Sequence, residues 1–304
     1  MIAIADVLKY LEENNIRFSF SGEETFCFET FCPLNNLKPH AITWVRNAEN
    51  LNVDELNSTE GIVLVAELNS EIQNADFPII FVEKAHRTFF RILPFFFKEC
   101  DPDHREPGIA TSAVVETQDI GKDVYIGHHS YVGPDVIIGD NVQILNNVTI
   151  QGHVTIGDYT IIESGTTIGA CGFGQYWDEE GNPVTVAHMG GVVIGHHVKI
   201  GANNGISRGC LADTIIEDYV QTDNLCHIAH NDVIKKGAIL TANSVISGST
   251  TVGENAWLAP GSLLNNAITV GKDAFLGLGA VATKDVPDNK VVVGMPAKPL
   301  RDRY

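Results

Sequence analysis

Residues 120–144 read IGKDVYIGHHSYVGPDVIIGDNVQI, and a branched apolar residue returns at every sixth place: Ile120, Ile126, Val132, Ile138, Ile144. The rhythm reaches back to Val114 and on through Ile150, Ile156, Ile162 and Ile168. It resumes at Ile194, Ile200 and Ile206, then runs again from Ile216 by way of Ile228, Leu240, Ile246 and Leu264 to Ala282. A period of six is neither the helical 3.6 nor the simple strand alternation of 2. It is the mark of a chain wound as short strands and tight turns into a parallel β-helix, with the aliphatic residue pointing inward. The expected fold is mainly β, a left-handed parallel β-helix preceded by a small α/β domain. Gly follows many of the aliphatics, as in Ile138-Gly139 and Val252-Gly253. It suits either an unusual backbone angle or close approach to the neighbouring coil.

Three hexads close one three-sided coil, so residues 18 apart stack at roughly 4.8 Å. The expected organisation is an α/β domain over 1–100, a linker over 101–107 rich in Asp, Pro and charge, a β-helix over 108–286 and a C-terminal tail over 287–304. In the first hundred residues, 2–15 follow helical spacing. Gly61–Ala66 and Pro78–Val82 read as strands and Lys84–Phe97 as a helix, with Phe89, Phe90, Phe95, Phe96 and Phe97 expected in packing.

The net charge of −18 argues against general binding to nucleic acid or to an anionic membrane. Lys284, Lys290, Lys298, Arg301 and Arg303 cluster late in the chain, as an anion site or as a solvated tail. No run of 18 apolar residues suggests a transmembrane segment, and the N-terminus does not read as a signal peptide. Cys27, Cys32, Cys100, Cys171, Cys210 and Cys226 form no C-x-x-C pair and read as reduced thiols of a cytoplasmic protein.

The rhythm breaks twice. Ile168 and Ile194 stand 26 apart, two more than four hexads, with GFGQYWDEEGNP between them, which reads as an excursion loop over 170–191. Ile206 and Ile216 stand ten apart, a four-residue bulge around Arg208-Gly209-Cys210-Leu211. Loops thrown from a rigid scaffold are common places for function. The densest chemical segment follows in Asp223-Asn224-Leu225-Cys226-His227-Ile228-Ala229-His230-Asn231. His230 falls in the outward-facing step after Ile228, and a histidine, with an unperturbed pKa of about 6.5, serves as a base at neutral pH. Eighteen residues on stands Gly248, whose backbone N–H would lie one coil away as an oxyanion donor. Hexad counting puts Arg208, a cation, one coil below His230.

Taken in order, ESGTTIGACGFG (163–174), VVIG (192–195), RGCLADTII (208–216), Asp223-Asn224 and IAHN (228–231) resemble the UDP-3-O-acylglucosamine N-acyltransferases of lipid A synthesis. The likeness spans nearly the whole chain, since that family also carries a small N-terminal domain. The resemblance implies that His230 is the general base for attack of a sugar amine on a thioester, with Gly248 the oxyanion donor. It further implies that Trp44 and Asn47 hold the nucleotide base, and that His188, Asn224, Asn231 and Arg208 lie near substrate. Three departures stand out. Asn50 falls where the family has a further aromatic. A late histidine of the family falls near Asn266-Ala267. An acidic residue becomes Ser207 in Gly205-Ile206-Ser207-Arg208-Gly209.

The family's helical C-terminal extension recruits acyl carrier protein, whereas Gly294-Met295-Pro296-Ala297-Lys298 resembles the close of coenzyme A-dependent sugar acetyltransferases. The implied co-substrate is therefore acyl-CoA or the phosphopantetheine of an acyl carrier protein, with no tightly bound cofactor and no metal. The assembly implied is a homotrimer with sites between subunits, acting on a nucleotide sugar. An alternative is an N-acetyl- or 3-hydroxybutyryl-transferase for a surface-polysaccharide dideoxy amino sugar. More remote are a γ-type carbonic anhydrase, for which the histidine spacing is wrong, and a non-catalytic β-helix.

Overall fold

The computed structural model describes residues 1–49, 51–98, 105–296 and 298–303. Asn50, Cys100 and most of the expected linker (101–104) lie outside the described residues. The chain forms two compact units, Met1–His104 and Arg105–Tyr304. No helix among the described residues is long and apolar enough to cross a membrane.

In the first unit, Ile4, Val7, Leu8 and Leu11 share one helical face and are all buried, which makes Ile4–Glu13 an amphipathic helix. It is shorter than the 2–15 expected. Ile2–Ala3 pairs antiparallel with Cys27–Phe28, and Asn15, with φ of 54°, turns the chain out of the helix. A five-stranded sheet runs in the order Phe18–Ser21, Ile79–Val82, Val63–Glu67, Ala41–Trp44, Thr30–Phe31. The first pair is antiparallel and the others are parallel. Val63–Ala66 is fully buried because both sheet faces are covered, so alternate residues feed two cores. The helix Ala85–Phe96 covers one face. Of the phenylalanines expected to pack, Phe89 is buried, while Phe90 and Phe95 are about half exposed.

The second unit is the left-handed parallel β-helix read from the hexads. Among the described residues its three sheets hold eleven, nine and seven strands. Ile126, Ile144, Ile162, Ile200 and Leu240 stack down one face, Ile150, Ile168, Ile206, Ile228 and Ile246 down the second, and Ile138, Ile156, Ile194 and Ile216 down the third. All are essentially solvent-free. Removing such a side chain to Ala costs about 2–5 kcal/mol, because a rod of tightly stacked residues collapses poorly around a cavity.

The glycines after the aliphatics are there for close approach. A Cβ on Gly139 would stand 2.4 Å from Asp158 Oδ1 of the next coil. That carboxylate lies there to accept the N–H of Asp140 at 2.8 Å. The same bond recurs from His128 to Asn146, Lys122 to Asp140, Ala202 to Asn224 and Lys272 to Asp288. The left-handed backbone falls two places after the glycine, as at Asn141, Asn203 and Asn255, where asparagine tolerates it, and equally at Asp123, His129, Tyr159, His197 and Asp273.

Two expectations are corrected. Val136 pairs with Val154, 18 positions on, but Val154 pairs with Val192, 38 on. The loop is therefore an insertion of 20 residues, and Ile194 is the hexad directly after Ile168. Within it, Gln175–Trp177 and Pro183–Thr185 form a hairpin. Its turn is held by the Asp178 carboxylate, whose pKa is lowered chiefly by the backbone N–H of Asn182. The second correction concerns residues 287–304, which are not a free tail. Lys290–Val293 adds parallel to Phe275–Leu276, and Lys298–Asp302 pairs back antiparallel. Lys290 is ion-paired to Asp302, and Arg303 Nη1 donates to the carbonyls of Asn255, Asp273 and Ala274. This exposed, charged strand covers the sheet edge, a common guard against edge pairing.

Candidate active site

Both breaks in the hexads fall at one corner of the β-helix, where the second face hands over to the third. The 20-residue loop leaves after Thr167–Ala170, and the four-residue bulge follows Gly205–Ser207. One coil on, the corner after His227–Ile228 carries Ala229, His230 and Asn231. The next, after Val245–Ile246, carries Ser247 and Gly248. The pairings Ile206–Ile228 and Ile228–Ile246 put Arg208, His230 and Gly248 in register.

The His230 imidazole lies against Gly248. A Cβ there would stand 2.7 Å from its Cε1 and Nε2. Among the described residues the Gly248 N–H has no backbone partner. On the other side of the ring, His230 Nδ1 is 3.1 Å from Asn231 Oδ1. That oxygen only accepts, so the proton sits on Nδ1 and the Nε2 lone pair is left toward Gly248. Asn231 is itself fixed: its φ is 63°, its Oδ1 also accepts the Cys210 N–H at 3.0 Å, and its Nδ2 donates to Ala212 O at 2.9 Å. One asparagine thereby orients the imidazole and braces the bulge.

A cleft of about 260 Å³ opens here, lined by Cys171, Phe173, Ser207, His227, Ala229, His230, Ser247 and Gly248. Partial desolvation holds His227 below the ordinary histidine pKa. Phe173, Leu211 and Met189 stand largely exposed on the loop and bulge.

His188 is buried beside His230, ring centroids 5.1 Å apart, with Nδ1 on the Val186 carbonyl at 2.8 Å. Arg208 shares the register of His230, but its side chain turns to Cys171, donating from Nη2 to Sγ at 3.1 Å. Asn224 lies outside the cleft lining and serves the coil-to-coil ladder through Ala202 N–H at 2.7 Å. Ala267 sits one coil beyond Gly248 and donates its N–H to the Gly248 carbonyl.

Trp44 and Asn47 belong to the first unit. Trp44 ends a parallel strand, half-buried, edge-on to His86 at 4.8 Å and to Phe90 at 6.2 Å. The exposed Asn47 bonds Glu49 through both ends of its amide.

Sequence reasoning did not single out Cys171, Phe173, Ser207, His227 or Ser247 as cleft residues, nor Cys210 as the neighbour of His230, whose Nδ1 is 3.8 Å from its Sγ. The stacking rule would have found His227 and Ser247, since both flank the inward aliphatic on the face that bears His230. Of the six cysteines, the five described are free thiols.

The bacterial transferase hexapeptide family, described as six repeats, matches residues 119–152 and 135–170. The UDP-3-O-acylglucosamine N-acyltransferase of Rickettsia massiliae is 50% identical over 145 residues, 48% of this chain and 42% of that one. UDP-3-O-acylglucosamine N-acyltransferase 2 of Legionella pneumophila strain Lens is 47% identical over 96 residues, 32% of this chain and 28% of that one. The matched stretch thus spans less than half the length of these relatives. Among solved structures, LpxA of Bacteroides fragilis, a UDP-N-acetylglucosamine acyltransferase, superposes with a TM-score of 0.59 at 24% identity, covering 64% of this chain and 75% of that one. The UDP-N-acetylglucosamine acyltransferase of Campylobacter jejuni does so at 0.58 and 24% identity, covering 64% and 75%. These likenesses speak for the fold. The chain is a hexapeptide-repeat β-helix protein similar, over its matched part, to the UDP-3-O-acylglucosamine N-acyltransferases.

Proposed function

We propose that the chain is an N-acyltransferase that moves an acyl group from a thioester to the amine of a nucleotide-linked amino sugar. The observation that carries this is the set of three aligned groups at one corner: the Asn231 oxygen, the His230 imidazole and the Gly248 N–H. Asn231 leaves Nε2 as the basic nitrogen, and Gly248 leaves both a flat seat for the ring and an unclaimed donor.

As the neutral amine attacks the thioester carbon, His230 Nε2 takes its proton. The carbonyl oxygen becomes an oxyanion that the Gly248 N–H meets, and the C–S bond then breaks, the leaving thiolate recovering the proton from the imidazolium. Such a base contributes about 10²–10⁴-fold and such a donor about 10²–10³-fold.

The acyl donor in this reading is acyl-CoA or the phosphopantetheine of an acyl carrier protein. The nucleotide is assigned to the first unit, where Trp44, at the carboxyl end of a parallel strand, offers an aromatic face in the usual place for ligands of such sheets. A homotrimer and a cytoplasmic setting belong to the same reading. A closed ring of subunits would cover the apolar side chains exposed around the cleft.

The test is a matrix of acetyl-CoA, 3-hydroxybutyryl-CoA and 3-hydroxyacyl carrier protein against nucleotide amino sugars, run with the unmodified chain and His230→Ala. One pair is expected to turn over, and the variant to lose at least about 100-fold in kcat with unchanged circular dichroism. Turnover by His230→Ala near that of the unmodified chain defeats the assignment.

A further inference from the structure

His188, Cys210 and His230 reach one point from three separate segments: the end of the inserted loop, the bulge, and the corner after Ile228. One donor atom from each lies within 4.8 Å of the other two. Cys210 Sγ stands 3.8 Å from His230 Nδ1. In a tetrahedral zinc site, with bonds of about 2.0–2.1 Å to nitrogen and 2.3 Å to sulfur, that edge measures about 3.6 Å.

Two further observations mark the place as a cradle for a ligand. His188 is 4% exposed, and its Nδ1 is spent on the Val186 carbonyl. A carbonyl only accepts, so Nδ1 carries the proton and Nε2 presents a lone pair. That Nε2 is buried and has no hydrogen-bond partner among the described residues. The space before it is kept open by Gly172, where a Cβ would stand 2.6 Å from His188 Nε2 and 2.8 Å from His230 Cβ and Cδ2. A buried, unpaired imidazole lone pair facing a thiol and a second imidazole is a soft donor set with nothing hard in it. Such sets select zinc and its neighbours over magnesium or calcium.

We propose that His188, Cys210 and His230 bind a soft divalent transition metal, zinc being the fitting ion, and that this binding switches off the base. Cys210 loses its proton to solvent and binds as thiolate, His188 binds through Nε2, His230 through one ring nitrogen, and the fourth position stays open. Coordination through His230 Nδ1 moves the ring proton to Nε2, which then donates and no longer accepts. Coordination through Nε2 occupies the basic lone pair itself. Either way the proton acceptor beside Gly248 is lost, while Asn231 Oδ1 keeps the Cys210 N–H. The regulatory consequence rests on the reading of His230 as the base; the metal site does not.

The test is a Co²⁺ titration of the full chain followed by absorption. Four-coordinate ligand-field bands and a near-ultraviolet thiolate-to-cobalt band should appear, saturating at one ion per chain and bleaching when Zn²⁺ is added. Cys210→Ser should abolish the thiolate band, and His188→Ala should weaken Co²⁺ binding at least tenfold while keeping it. Absence of a thiolate band in the unmodified chain overturns the site, as does a band undiminished in Cys210→Ser. In a separate arm, Zn²⁺ should inhibit acyl transfer by the unmodified chain at a concentration at least tenfold below that needed for His188→Ala, each measured against its own metal-free rate. Equal inhibition overturns the switch. If the cobalt spectrum appears but no donor supports turnover, the metal site stands and the acyltransferase reading fails.

Discussion

Asn231 Oδ1 lies 3.1 Å from His230 Nδ1 and 3.0 Å from the backbone nitrogen of Cys210, so one acceptor settles both the tautomer of the imidazole and the path of the bulge beside it. The arrangement follows from the left-handed φ of Asn231, a conformation that asparagine tolerates better than most residues. Asn231→Ala is expected to lower kcat by about ten- to a hundredfold, a part of what a general base contributes. Asn231→Asp, which keeps an acceptor oxygen at both bonds and gives up the Nδ2 donation to the Ala212 carbonyl, should retain more of the turnover than Asn231→Ala. Steady-state kinetics of the pair check this, and equal losses in both would show that the acceptor is not what matters.

Gly248→Ala isolates the second aligned group. The backbone of Gly248 is not left-handed, so alanine is tolerated by the main chain, but its methyl would stand 2.7 Å from His230 Nε2 and Cε1. The ring must swing away. Displacements of about 1 Å at a reacting group cost about 100-fold. The expected outcome is a drop of that order in kcat with melting temperature little changed. A variant with normal kcat would show that the imidazole does not work from its seat on Gly248.

The hexads carried a great deal because one physical rule governs them: each inward aliphatic must stack on the one 18 residues before. That rule makes the three faces legible and puts Gly248 in register with His230 from the sequence alone. It failed where chain leaves the stack. The separation of Ile168 from Ile194 lies close to four hexads only by accident, and periodicity cannot tell coils from an inserted hairpin of similar length. The same blindness hid Cys171, Phe173 and Cys210, which loops carry to the cleft with no ruler to count along. Asn224 shows the converse case: it sits in a conspicuous motif, yet at the step where Asn146 and Asp140 brace neighbouring coils, and it does the same job. Lys290–Val293 and Lys298–Asp302 read in sequence as a solvated tail because of their charge, whereas a sheet edge also wants charge.

Trp44 is tested by separating binding from chemistry. It touches His86, Phe89 and Phe90 within the first unit. Trp44→Ala is expected to raise KM for the nucleotide sugar by about tenfold, on the order of 1.4 kcal/mol of lost ring contact, with kcat at saturation within about twofold. An unchanged KM would assign the first unit some other task.

The cysteines should separate by chemistry. Cys171 is exposed, with the Arg208 guanidinium 3.1 Å from its sulfur. Cys226 is 2% exposed, and burial pushes its thiol up to about 11. Only the thiolate alkylates. Iodoacetamide at pH 8 is expected to modify Cys171 and spare Cys226 in the folded chain, read by peptide mass spectrometry. Early labelling of Cys226 would contradict its burial.

Asp232, two residues past His230, makes stability fall with pH. It is fully buried, its Oδ1 accepts the Thr250 N–H at 2.9 Å, and its Oδ2 has no partner among the described residues. Burial pushes the carboxyl from 3.8 up to about 8. Between those values the folded chain keeps a proton that the unfolded chain has released. The contribution is therefore whole below the unfolded value and is lost as pH rises through the folded one, by at most about 1.4 kcal/mol per pH unit. Asn in this place never ionises, and its side-chain oxygen can still take the Thr250 N–H. Asp232→Asn should therefore melt at a higher temperature than the unmodified chain at pH 8, with the difference shrinking toward pH 4. Thermal melts across that range decide the matter: a difference that does not vary with pH would mean that Asp232 is held by groups that let it ionise in the fold.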